Sequence, residues 1–560
     1  MLRNLGKCQV ERHFIYKAIQ GLCKLVSSSF ALYIFLINLL SNIVSVKLYN
    51  NVIDVSFIVF LSAFTAYIES SIYYFIRNSV VKKIYASIIV IVHNVLAIVE
   101  YFILVNFQTF INQDIIDIIC DTNPVESSNF IATYLQPHVV LLYLVACILI
   151  NVVLVVLVKL LGKIRYKEIA LALSVLGLFT LSYCAVNFVK YRNGMSIPQL
   201  TTLSRLGYSL YCAHQRIVQT DEIRNVCENE QVSQNIKKKP TIIVIIGESF
   251  SVYHSSLYGY KKNTNPMLSQ RVKDGSLYVF DNAVTLWPAT TASMCADFSL
   301  DSLGVGYTTM PMFPACFKKA GYYTAMYDNQ YFVGQGISFL SDKKLSDAMF
   351  DYRNSHRYDY DLQMINTIKD VQKPSLYVIH LWGQHYTYKD RFPKDFAKFK
   401  ADEYNKNKSN NIRQIMANYD NATLYNDFVV NSIIDKFKND YCCVFYFSDH
   451  GEEVYELRNY MGHGNAYDSP NPNYQIRVPL MVWTSPSFAK ANPAICNKFD
   501  NALHYPICMD DIGHTLLDIA GITCKDFAPA RSFVNDKFNI HRHRVVMNSI
   551  DYDKLLIHRR

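Results

Sequence analysis

Glycine and proline are scarce in this chain of 560 residues, occurring at 20 and 17 positions respectively. A collagen-like repeat or a long flexible linker is therefore excluded. The sequence contains no Walker loop, no G-x-G-x-x-G run and no H-E-x-x-H motif, so common signatures of nucleotide-binding proteins and zinc proteases are missing. None of the 14 cysteines forms a C-x-x-C pair, so no zinc knuckle or dithiol redox motif is indicated.

Charged residues are also few, at 18% of the chain, whereas 51% of the residues are hydrophobic and 14% are aromatic. This composition excludes a disordered chain, because it can bury a large core. The formal net charge of +9 comes from three short segments, residues 1–24, 77–83 and 159–168, which hold twelve lysines and arginines against two glutamates. The rest of the chain is close to neutral, so the sequence predicts no nucleic-acid partner.

Five apolar stretches approach the length of about 20 residues that a helix needs to cross a bilayer. The predicted spans cover residues 25–46, 55–76, 84–107, 139–158 and 169–189. The segments rich in lysine and arginine alternate with segments poor in them, so the N-terminus is predicted to be cytoplasmic and the chain beyond residue 190 to lie on the far side. We expect three parts: a transmembrane domain (1–189), an amphipathic bridging segment (190–235) and a catalytic domain (236–560).

Three ionisable residues fall inside these spans or near their ends: Glu69, His93 and Glu100. Such groups are costly in a bilayer and are candidates for function by default. We predict a contact with lipid headgroups as their role. The alternative for Glu100, near the outer end of its helix, is that its side chain merely reaches the membrane surface.

Beyond the apolar stretches, the pattern changes to short β-branched and aromatic runs separated by helical segments. The predicted strands cover residues 241–246, 323–327, 376–381, 443–447 and 480–483, and a long helix covers 411–436. Strands that alternate with helices predict an α/β domain with a mostly parallel sheet covered on both faces. Such a sheet places its functional site at the carboxyl ends of its strands.

Residues able to bind a metal follow three of these predicted strands. Glu248 follows the first, Asp449 and His450 follow the fourth, and His385 lies just beyond the third. Carboxylates combined with imidazole are typical ligands of zinc or manganese. A single acidic residue in such a place often caps a helix. Three strand ends of this kind together predict a metal site.

The segment LWPATTASMCADFSL, residues 286–300, offers a nucleophile for metal-assisted chemistry. Thr290 or Thr291 would stand at a helix N-terminus, where backbone N–H groups favour a phosphoryl anion. On this segment alone, an ordinary N-cap is the simpler explanation. Ser249 is a rival nucleophile, but it lacks the G-x-S-x-G elbow of α/β-hydrolases because residue 251 is serine.

Several long runs resemble the bacterial phosphoethanolamine transferases, and the branch that modifies the lipopolysaccharide core looks most similar. They read IIGESFSVYHSSLYGYKKNTNPML, VIHLWGQHYTYKDRFP, YDNATLYNDFVVNSII, FYFSDHGEEVYE and ARSFVN. The resemblance is strong from about residue 239 to 535. It implies five membrane spans followed by an alkaline-phosphatase/sulfatase-like α/β domain. The implied location is the inner membrane of a Gram-negative bacterium, with a periplasmic catalytic domain.

The resemblance also implies a mechanism and a set of site residues. By family position, the zinc ligands are Glu248, Thr290, Asp449 and His450, with one Zn²⁺ expected and a second possible. Thr290 would attack phosphatidylethanolamine, form a phospho-threonine intermediate and pass the group to lipopolysaccharide. The residues implied to bind substrate are His385, His463 and Asn329. For His463, which lies in the run MGHGN, an ordinary surface histidine is the alternative. The protein is expected to be a monomer surrounded by membrane lipids.

The chain departs from the family pattern around the nucleophile. Many members that modify lipid A have Cys-Gly-Thr there and Pro-Cys after it, whereas this chain has Trp287-Pro288-Ala289 before Thr290. The departure argues against a local disulfide and against a lipid A acceptor. Loop length makes Cys496 and Cys508 possible disulfide partners. The competing functions are a phosphoglycerol transferase on the same fold and a non-catalytic membrane protein that retains the domain.

Overall fold

The computed structural model describes most of the chain, in several segments. These are residues 28–43, 52–107, 110–111, 115–116, 119, 122, 124–161, 167–190, 201–301, 310–333, 339–369, 371, 373–464, 471–547 and 550–554. The ends of the first predicted span and residues 191–200 of the predicted bridging segment lie outside this set. The chain divides into two compact units. A helical unit comprises Met1–Asp117 and Pro124–Ala213, and an α/β unit comprises Ile118–Asn123 and His214–Arg560.

Each of the five predicted spans coincides with a helix of the helical unit. Its helices are Ser29–Ile43, Val52–Phe75, Ser79–Phe107, Pro124–Tyr134, Pro137–Leu161 and Lys167–Lys190, and the helix Thr202–Asn229 follows. Within the described residues, three segments are long and apolar enough to cross a membrane: Val55–Phe75, Ser79–Phe107 and Pro137–Leu161. Ser29–Asn42 and Ile169–Tyr183 are apolar but shorter. The count of five spans therefore stays a prediction.

A ring of polar side chains links three of these helices. The hydroxyl of Tyr33 donates to Oδ1 of Asn151 at 2.5 Å and accepts from Nδ2 of Asn94 at 2.8 Å. Nδ2 of Asn151 in turn donates to Oδ1 of Asn94 at 2.6 Å. Apolar helices in lipid gain little from the hydrophobic effect, so packing and hydrogen bonds between helices hold them together. This ring supplies such bonds.

The ionisable residues predicted in the spans have protein partners. Nε2 of His93 lies 2.9 Å from Oε2 of Glu69, and both side chains are buried. Glu100 is 0% exposed and pairs with the guanidinium of Arg205, which also donates to the carbonyl oxygen of Ile111. These pairs show how the carboxylates are satisfied within the helical unit. A role in contacting lipid headgroups stays a prediction.

A seven-stranded sheet forms the centre of the α/β unit. Its strands in chain order are β1 (Thr241–Gly247), β2 (Leu277–Phe280), β3 (Tyr323–Asp328), β4 (Tyr352–Arg353), β5 (Ser375–His380), β6 (Cys442–Ser448) and β7 (Leu480–Thr484). The order across the sheet is β2-β7-β6-β1-β5-β3-β4. The five strands predicted from the sequence are β1, β3, β5, β6 and β7, so the prediction located the strands that carry the site.

The sheet is mostly parallel, as predicted, and it is mixed because one strand runs against the others. The described pairings among β6, β1, β5, β3 and β4 are parallel, but β7 runs antiparallel to both β6 and β2. A parallel return needs a crossover that brings the chain back to the opposite edge. Between β6 and β7 the described chain forms a hairpin, Glu453–Val454 with Met461–Gly462, and a short helix, Asn473–Ile476. Because β7 starts from the edge where β6 ends, it runs in the opposite direction.

Both faces of the sheet are buried under helices. Ile242 and Val244 of β1 pack into one apolar cluster, and Ile243 and Ile245 pack into the other. This alternation follows from the two-residue period of a strand. The covering and connecting helices are Pro266–Lys273, Thr290–Phe298, Phe313–Lys319, Lys343–Met349, Asp361–Ile365, Asn410–Phe437, Asn473–Ile476, Pro486–Ala491, Pro493–Ala502 and Ile512–Ile519. The longest of these helices, Asn410–Phe437, begins within one residue of the predicted start. The hydroxyl of Ser409 caps this helix by accepting from the backbone N–H of Ile412.

The described part of the α/β unit also contains four two-stranded pairings. They are Val232–Gln234 with Ile522–Cys524, Glu453–Val454 with Met461–Gly462, Ala283–Val284 with Ile507–Cys508, and Val545–Val546 with Ile550–Asp551. Cys496 and Cys508, considered above as disulfide partners, both carry free, buried thiols. That pairing is therefore absent from the structure.

Candidate active site

Two adjacent parallel strands deliver the first residues of the site. Gly247, the last residue of β1, is in register with Ser448, the last residue of β6. Glu248 follows the first strand, and Asp449 and His450 follow the second. The carboxyl ends of neighbouring parallel strands meet at one edge, so these side chains lie together as expected.

The turn after β1 is held in an unusual backbone conformation. Ser249 has a φ of 55°, in the left-handed region that residues with a side chain seldom adopt. Its backbone N–H donates to Oδ1 of Asp449 at 3.1 Å, and its hydroxyl donates to Oε1 of Glu248 at 2.6 Å. Strain of this kind persists where the surroundings fix the conformation, often at functional sites. Ser249 thus supports the acidic side chains, and this contact makes it a poorer candidate for the nucleophile.

The turn after β5 also comes close to Glu248. Gly383 has a φ of 51°, and a Cβ atom there would lie 2.8 Å from the backbone nitrogen of Glu248. No residue other than glycine fits so close an approach. The glycine therefore lets the loop that carries His385 pack against the first strand end.

Glu248, Asp449 and His450 form a compact set of possible metal ligands, here called the donor cluster. One ligand atom from each lies within 4.8 Å of the others, and all three side chains are buried. Nε2 of His450 is 3.1 Å from Oδ2 of Asp449 and 3.5 Å from Oε1 of Glu248. Oδ2 of Asp449 accepts no hydrogen bond from any described residue. A buried carboxylate oxygen without a donor is costly, and a bound cation would satisfy it.

The electrostatics of the donor cluster also suit a divalent cation. Burial, and then the charge of Glu248, raise the pKa of Asp449 well above its ordinary value. Burial lowers the pKa of His450 to about 3, so its imidazole is neutral, as a metal ligand must be. A bound cation reverses the effect on the carboxylates. The residues present therefore fit a zinc-type ion.

Thr290 brings a hydroxyl group to the donor cluster. It is the first residue of the helix Thr290–Phe298. Its Oγ1 donates to Oε2 of Glu248 at 3.2 Å and lies 3.3 Å from Nε2 of His450. These contacts favour Thr290 over Thr291, which the sequence left open. The position at a helix N-terminus also suits a phosphoryl anion.

Ser293 fixes the turn that leads into this helix. Its hydroxyl donates to the carbonyl oxygen of Trp287 at 2.6 Å and accepts from the hydroxyl of Thr285 at 3.1 Å. These bonds hold the three residues before Thr290 against the first turn of the helix. The three-residue spacing between Thr290 and Ser293 thus has a structural explanation.

His463 lies beside the donor cluster, and a glutamate orients it. Its ring centroid is 3.9 Å from that of His450, and its Nδ1 is 2.7 Å from Oε2 of Glu452. Glu452 also accepts from the hydroxyl of Tyr388 at 2.5 Å. Ligand atoms of His450, Glu452 and His463 form a second set within 4.8 Å of one another. Glu452 was not predicted as a site residue, although it follows Gly451 directly in the run SDHGEE.

The protonation of His463 follows from this pairing. Burial lowers its pKa, but the carboxylate of Glu452 raises it more, so the pKa lies above the ordinary value. Because Nδ1 faces Glu452, Nε2 is the nitrogen able to exchange a proton with a substrate. A histidine held by a carboxylate in this way is a familiar general acid or base.

His385 contributes a neutral imidazole near the same edge of the sheet. It is half-buried, with its ring 5.8 Å from that of Trp382 and 4.8 Å from that of Tyr386. Burial lowers the pKa of His385 to about 3, although the charge of Glu248 raises it in part. The side chain is therefore suited to accept a hydrogen bond or to bind a cation, and its substrate-binding role stays a prediction.

The side-chain amide of Asn329 makes hydrogen bonds with other protein groups through both its nitrogen and its oxygen. It is 0% exposed; Nδ2 donates to Oδ1 of Asp361 at 2.9 Å, and Oδ1 accepts from the backbone N–H of Tyr358 at 2.8 Å. Asp361 accepts in turn from the backbone N–H groups of Trp382 and Gly383. The described contacts of Asn329 therefore support the loop after β5, and the predicted contact with substrate stays a prediction.

The neighbouring residue Gln330, which was not predicted from the sequence as a site residue, contacts Glu248. Its Nε2 donates to Oε2 of Glu248 at 3.0 Å. Beside it, Nδ1 of His380 lies 3.0 Å from Oδ1 of Asp328, and both are buried. The run YDNQ did mark the end of β3 as polar. The choice between Asn329 and Gln330 depends on which residue turns toward β1, and the sequence alone does not fix that.

Comparison with known proteins places these residues in a family context. The family model described as Sulfatase matches residues 240–522. Phosphoethanolamine transferase EptC of Escherichia coli K12 is 32% identical over 337 residues, which cover 56% of this chain and 57% of that protein. Phosphoethanolamine transferase CptA of Salmonella typhimurium is 31% identical over 339 residues, with the same coverage. The chain thus spans less than two thirds of the length of these relatives.

Two solved structures are similar to this one. One is the zinc complex of the C-terminal periplasmic domain of EptC from Escherichia coli. Its superposition on this structure covers 58% of this chain and 96% of that domain, with 28% identity and a TM-score of 0.51. The integral membrane protein lipooligosaccharide phosphoethanolamine transferase A (EptA) from Neisseria meningitidis covers 92% of this chain and 98% of that one. Its identity is 17% and its TM-score is 0.62. The second similarity concerns the fold alone.

Proposed function

The chain belongs to the sulfatase family, and from that premise we propose that it is a metal-dependent transferase that moves phosphoethanolamine from phosphatidylethanolamine to lipopolysaccharide. The observation that carries this proposal is the position of the Thr290 hydroxyl, in contact with both Glu248 and His450. A hydroxyl next to a set of metal ligands is the arrangement that an activated nucleophile needs. Relatives about 32% identical are named phosphoethanolamine transferases.

The donor cluster and Oγ1 of Thr290 are the atoms that would hold the metal. When bound, zinc lowers the pKa of a hydroxyl group and neutralises charge on a phosphoryl group. The zinc complex of the EptC domain supports this choice of ion for the present chain. A second ion is part of the proposal as an option, with His450, Glu452 and His463 as its ligands.

In the first half-reaction, Oγ1 of Thr290 forms a bond to the phosphorus of phosphatidylethanolamine. The bond between phosphorus and the diacylglycerol oxygen breaks, and the ethanolamine phosphate stays on Thr290. Burial raises the pKa of Glu248, but the neighbouring histidines lower it more, so this carboxylate orients the hydroxyl and does not keep its proton. The threonine proton passes to water. Protonated His463, held through Nδ1 by Glu452, gives a proton to the departing diacylglycerol oxygen.

In the second half-reaction, a hydroxyl or phosphate oxygen of the acceptor attacks the same phosphorus. His463 takes a proton from the acceptor, and the oxygen of Thr290 leaves and takes a proton from water. Protons therefore balance over the cycle. The donor phosphodiester already carries the transferable group, so the cycle needs no nucleotide.

We place the acceptor in the lipopolysaccharide core, as a sugar hydroxyl or phosphate, ahead of lipid A. The resemblance of the sequence runs to the branch that modifies the core supports this choice. The Trp287-Pro288-Ala289 sequence before the nucleophile supports the same choice. Both substrates lie in membranes, so we propose a monomer in the inner membrane with five spans, a cytoplasmic N-terminus and a periplasmic α/β unit.

The test is mass spectrometry of lipid A and of released core oligosaccharide from cells that lack the gene and from cells in which it is restored. Gain of phosphoethanolamine on the core, dependent on the gene, is the expected result. Gain on lipid A keeps the reaction and overturns the acceptor. The purified full chain, supplied in parallel with phosphatidylethanolamine or phosphatidylglycerol, should transfer only from the former. Transfer from phosphatidylglycerol alone would make the protein a phosphoglycerol transferase, and transfer from neither would reject the proposal.

A further inference from the structure

A buried histidine outside the donor cluster holds both of its ring nitrogens against carboxylates. His254 is 2% exposed; its Nδ1 lies 2.5 Å from Oδ1 of Asp420, and its Nε2 lies 2.9 Å from Oε1 of Glu456. Both ring nitrogens donate only when the imidazole is a cation. Burial lowers the pKa of His254, but the two carboxylates outweigh burial and raise it to about 10. At neutral pH this site therefore contains a buried imidazolium.

Asp420 is the fixed partner in this arrangement. It lies on the long helix Asn410–Phe437, and its Oδ2 accepts from the hydroxyls of Tyr260, at 2.9 Å, and Tyr404. Three donors therefore hold this carboxylate in place. We call the five residues His254, Asp420, Glu456, Tyr260 and Tyr404 the His254 cluster.

One side of the His254 cluster is joined to the turn that supports the donor cluster. The hydroxyl of Tyr419 accepts from the backbone N–H of Ser251 at 2.7 Å and donates to the carbonyl oxygen of Ser249 at 2.5 Å. The ring of His254 packs edge-on against that of Tyr419, with 4.9 Å between the centroids. Since Ser249 also contacts Glu248 and Asp449, this side is tied to the metal ligands.

The other side of the His254 cluster is joined to the hairpin that carries His463. Oε2 of Glu456 accepts from the backbone N–H of Val454. Val454 pairs with Met461 across the hairpin Glu453–Val454 with Met461–Gly462. Glu452 comes directly before this hairpin and His463 directly after it. The carboxylate of Glu456 therefore connects the imidazolium to the backbone between the two residues of the proton-transfer pair.

We propose that the ion pair between His254 and Glu456 positions the hairpin that carries Glu452 and His463, which makes His254 a positioning residue for proton transfer at the site. This inference rests on the proposed function, in which His463 exchanges protons with the substrates. The side chain of Glu456 is 15% exposed, so it can turn toward water when the cation is removed. Val454 would then lose its acceptor, and the separation and angle between Glu452 and His463 would no longer be fixed.

The experiment compares His254→Gln, Glu456→Gln and the double variant in the full-length protein in detergent. Glutamine retains hydrogen-bonding groups at position 254 but carries no positive charge. His504→Gln is the matched control, because that histidine is 82% exposed and pairs with Asp281 at the surface. The measurements are zinc content, tryptophan fluorescence on heating, and transfer from a fluorescent phosphatidylethanolamine as separate kcat and KM values over a range of pH.

We expect both single variants to keep zinc and a cooperative unfolding transition. Their kcat should fall about tenfold to hundredfold, in line with the loss of residues that orient catalytic groups, while KM changes less than about twofold. The double variant should lose no more than the worse single variant, because the two residues act as one unit. Unchanged kcat in His254→Gln, or losses that multiply in the double variant, would overturn the proposal.

Hydrogen exchange separates failure of this inference from failure of the proposed function. Backbone exchange in peptides covering residues 453–462 should be faster in His254→Gln than in the wild type, while exchange in β1 stays the same. If the wild-type protein transfers nothing from phosphatidylethanolamine, the proposed function fails, but this exchange result still decides whether His254 holds the hairpin. If His254→Gln does not fold, Glu456→Gln, which keeps the buried cation and its bond to Asp420, provides the same comparison. Equal exchange in the hairpin would reject the positioning role.

Discussion

His463 and Glu452 stand at the two ends of one hairpin, and Nδ1 of the histidine lies 2.7 Å from Oε2 of the glutamate. The chain thus leaves the donor cluster at His450, turns through the hairpin and returns a histidine to within 3.9 Å of His450, measured between ring centroids. Two residues of the donor cluster and the proposed proton-transfer pair therefore come from one stretch of chain after β6. This arrangement makes the effect of Glu452 on His463 directly testable.

Glu452→Gln should lower the pKa of His463, because the carboxylate is what raises it. If protonated His463 delivers the proton to diacylglycerol, the alkaline limb of the rate profile moves to lower pH, and kcat near pH 7 falls about tenfold to hundredfold. The measurement is kcat against pH with the purified full chain. Glu453→Gln is the control, since that buried glutamate pairs with Arg458 instead. An unchanged profile in Glu452→Gln would exclude this role.

Thr290→Ala should abolish transfer, with a loss of more than about 10³-fold, because the covalent intermediate has no oxygen to form on. The three residues of the donor cluster remain, so zinc content should be close to that of the wild type. Thr291→Ala should keep most of its activity. The opposite result for the two variants would move the nucleophile by one residue, and activity in Thr290→Ala with zinc bound would refute a phospho-threonine at this position.

Asp449→Asn tests the metal site with little change in shape. The amide oxygen can still accept from the backbone N–H groups of Ser249 and His450, as Oδ1 does now. The atom that replaces Oδ2 carries no negative charge, so zinc affinity should fall at least about tenfold. Metal analysis of the purified protein measures this. A chelator should lower the melting temperature of the wild type but not that of the variant. Asp427→Asn, at a helix cap away from the cluster, should retain zinc.

The stability of the α/β unit should fall as pH rises above about 6.5. The folded pKa of His254 is about 10 and the ordinary value is 6.5, so the folded state keeps a proton that the unfolded state loses. The contribution is complete below pH 6.5 and disappears as pH approaches 10, with a slope of about 1.4 kcal/mol per pH unit. All three tryptophans lie in this unit, so their fluorescence reports its unfolding. The stability difference between wild type and His254→Gln should shrink with pH; a constant difference would contradict a buried cation.

Arg205→Met should destabilise the helical unit by about 3–5 kcal/mol, because it leaves the buried carboxylate of Glu100 without its guanidinium partner. Adding Glu100→Gln should recover much of the loss, since the charge is then gone too. Thermal stability of the full chain in detergent, followed by size-exclusion chromatography, provides the measurement. The control on the same helix is Arg224→Met, whose partner Asp221 is exposed, and it should cost less than about 1 kcal/mol. Equal losses of stability in the two arginine variants would show that the buried Arg205–Glu100 pair contributes no more than an exposed pair.

The strands and the residues of the donor cluster could be predicted because their signals are local. A buried strand is a continuous apolar run, and the first polar residues after it lie at the edge of the sheet whatever the neighbouring strands do. Glu248, Asp449 and His450 were found in this way. Thr290 needed the family resemblance as well, because a threonine at a helix N-terminus is otherwise indistinguishable from a cap. Its contacts with two residues of the donor cluster support the predicted role of nucleophile.

The partners of these residues could not be predicted, because they depend on contacts between distant parts of the chain. Gln330 reaches Glu248 across 82 positions, and Glu456 reaches His254 across 202. The direction of β7 depends on whether the preceding segment crosses the sheet, and composition does not encode that. Likewise, Arg205 could not be assigned to Glu100, since nothing in the predicted bridging segment distinguishes an arginine that turns inward from one at a surface.

The hydroxyl of Tyr33 and the amide of Asn151 are 118 positions apart, and Asn94 joins them from a third helix. A membrane protein is synthesised and inserted from its N-terminus, so the helix Ser29–Ile43 is complete well before Pro137–Leu161 emerges. In hydrocarbon, an unmatched polar group costs several kcal/mol. With the membrane topology proposed above, Asn94 is available to the hydroxyl oxygen of Tyr33 early, but the hydroxyl hydrogen gains its acceptor in this ring only when Asn151 arrives. The polar ring is thus completed by a late helix, after the two earlier ones have been made.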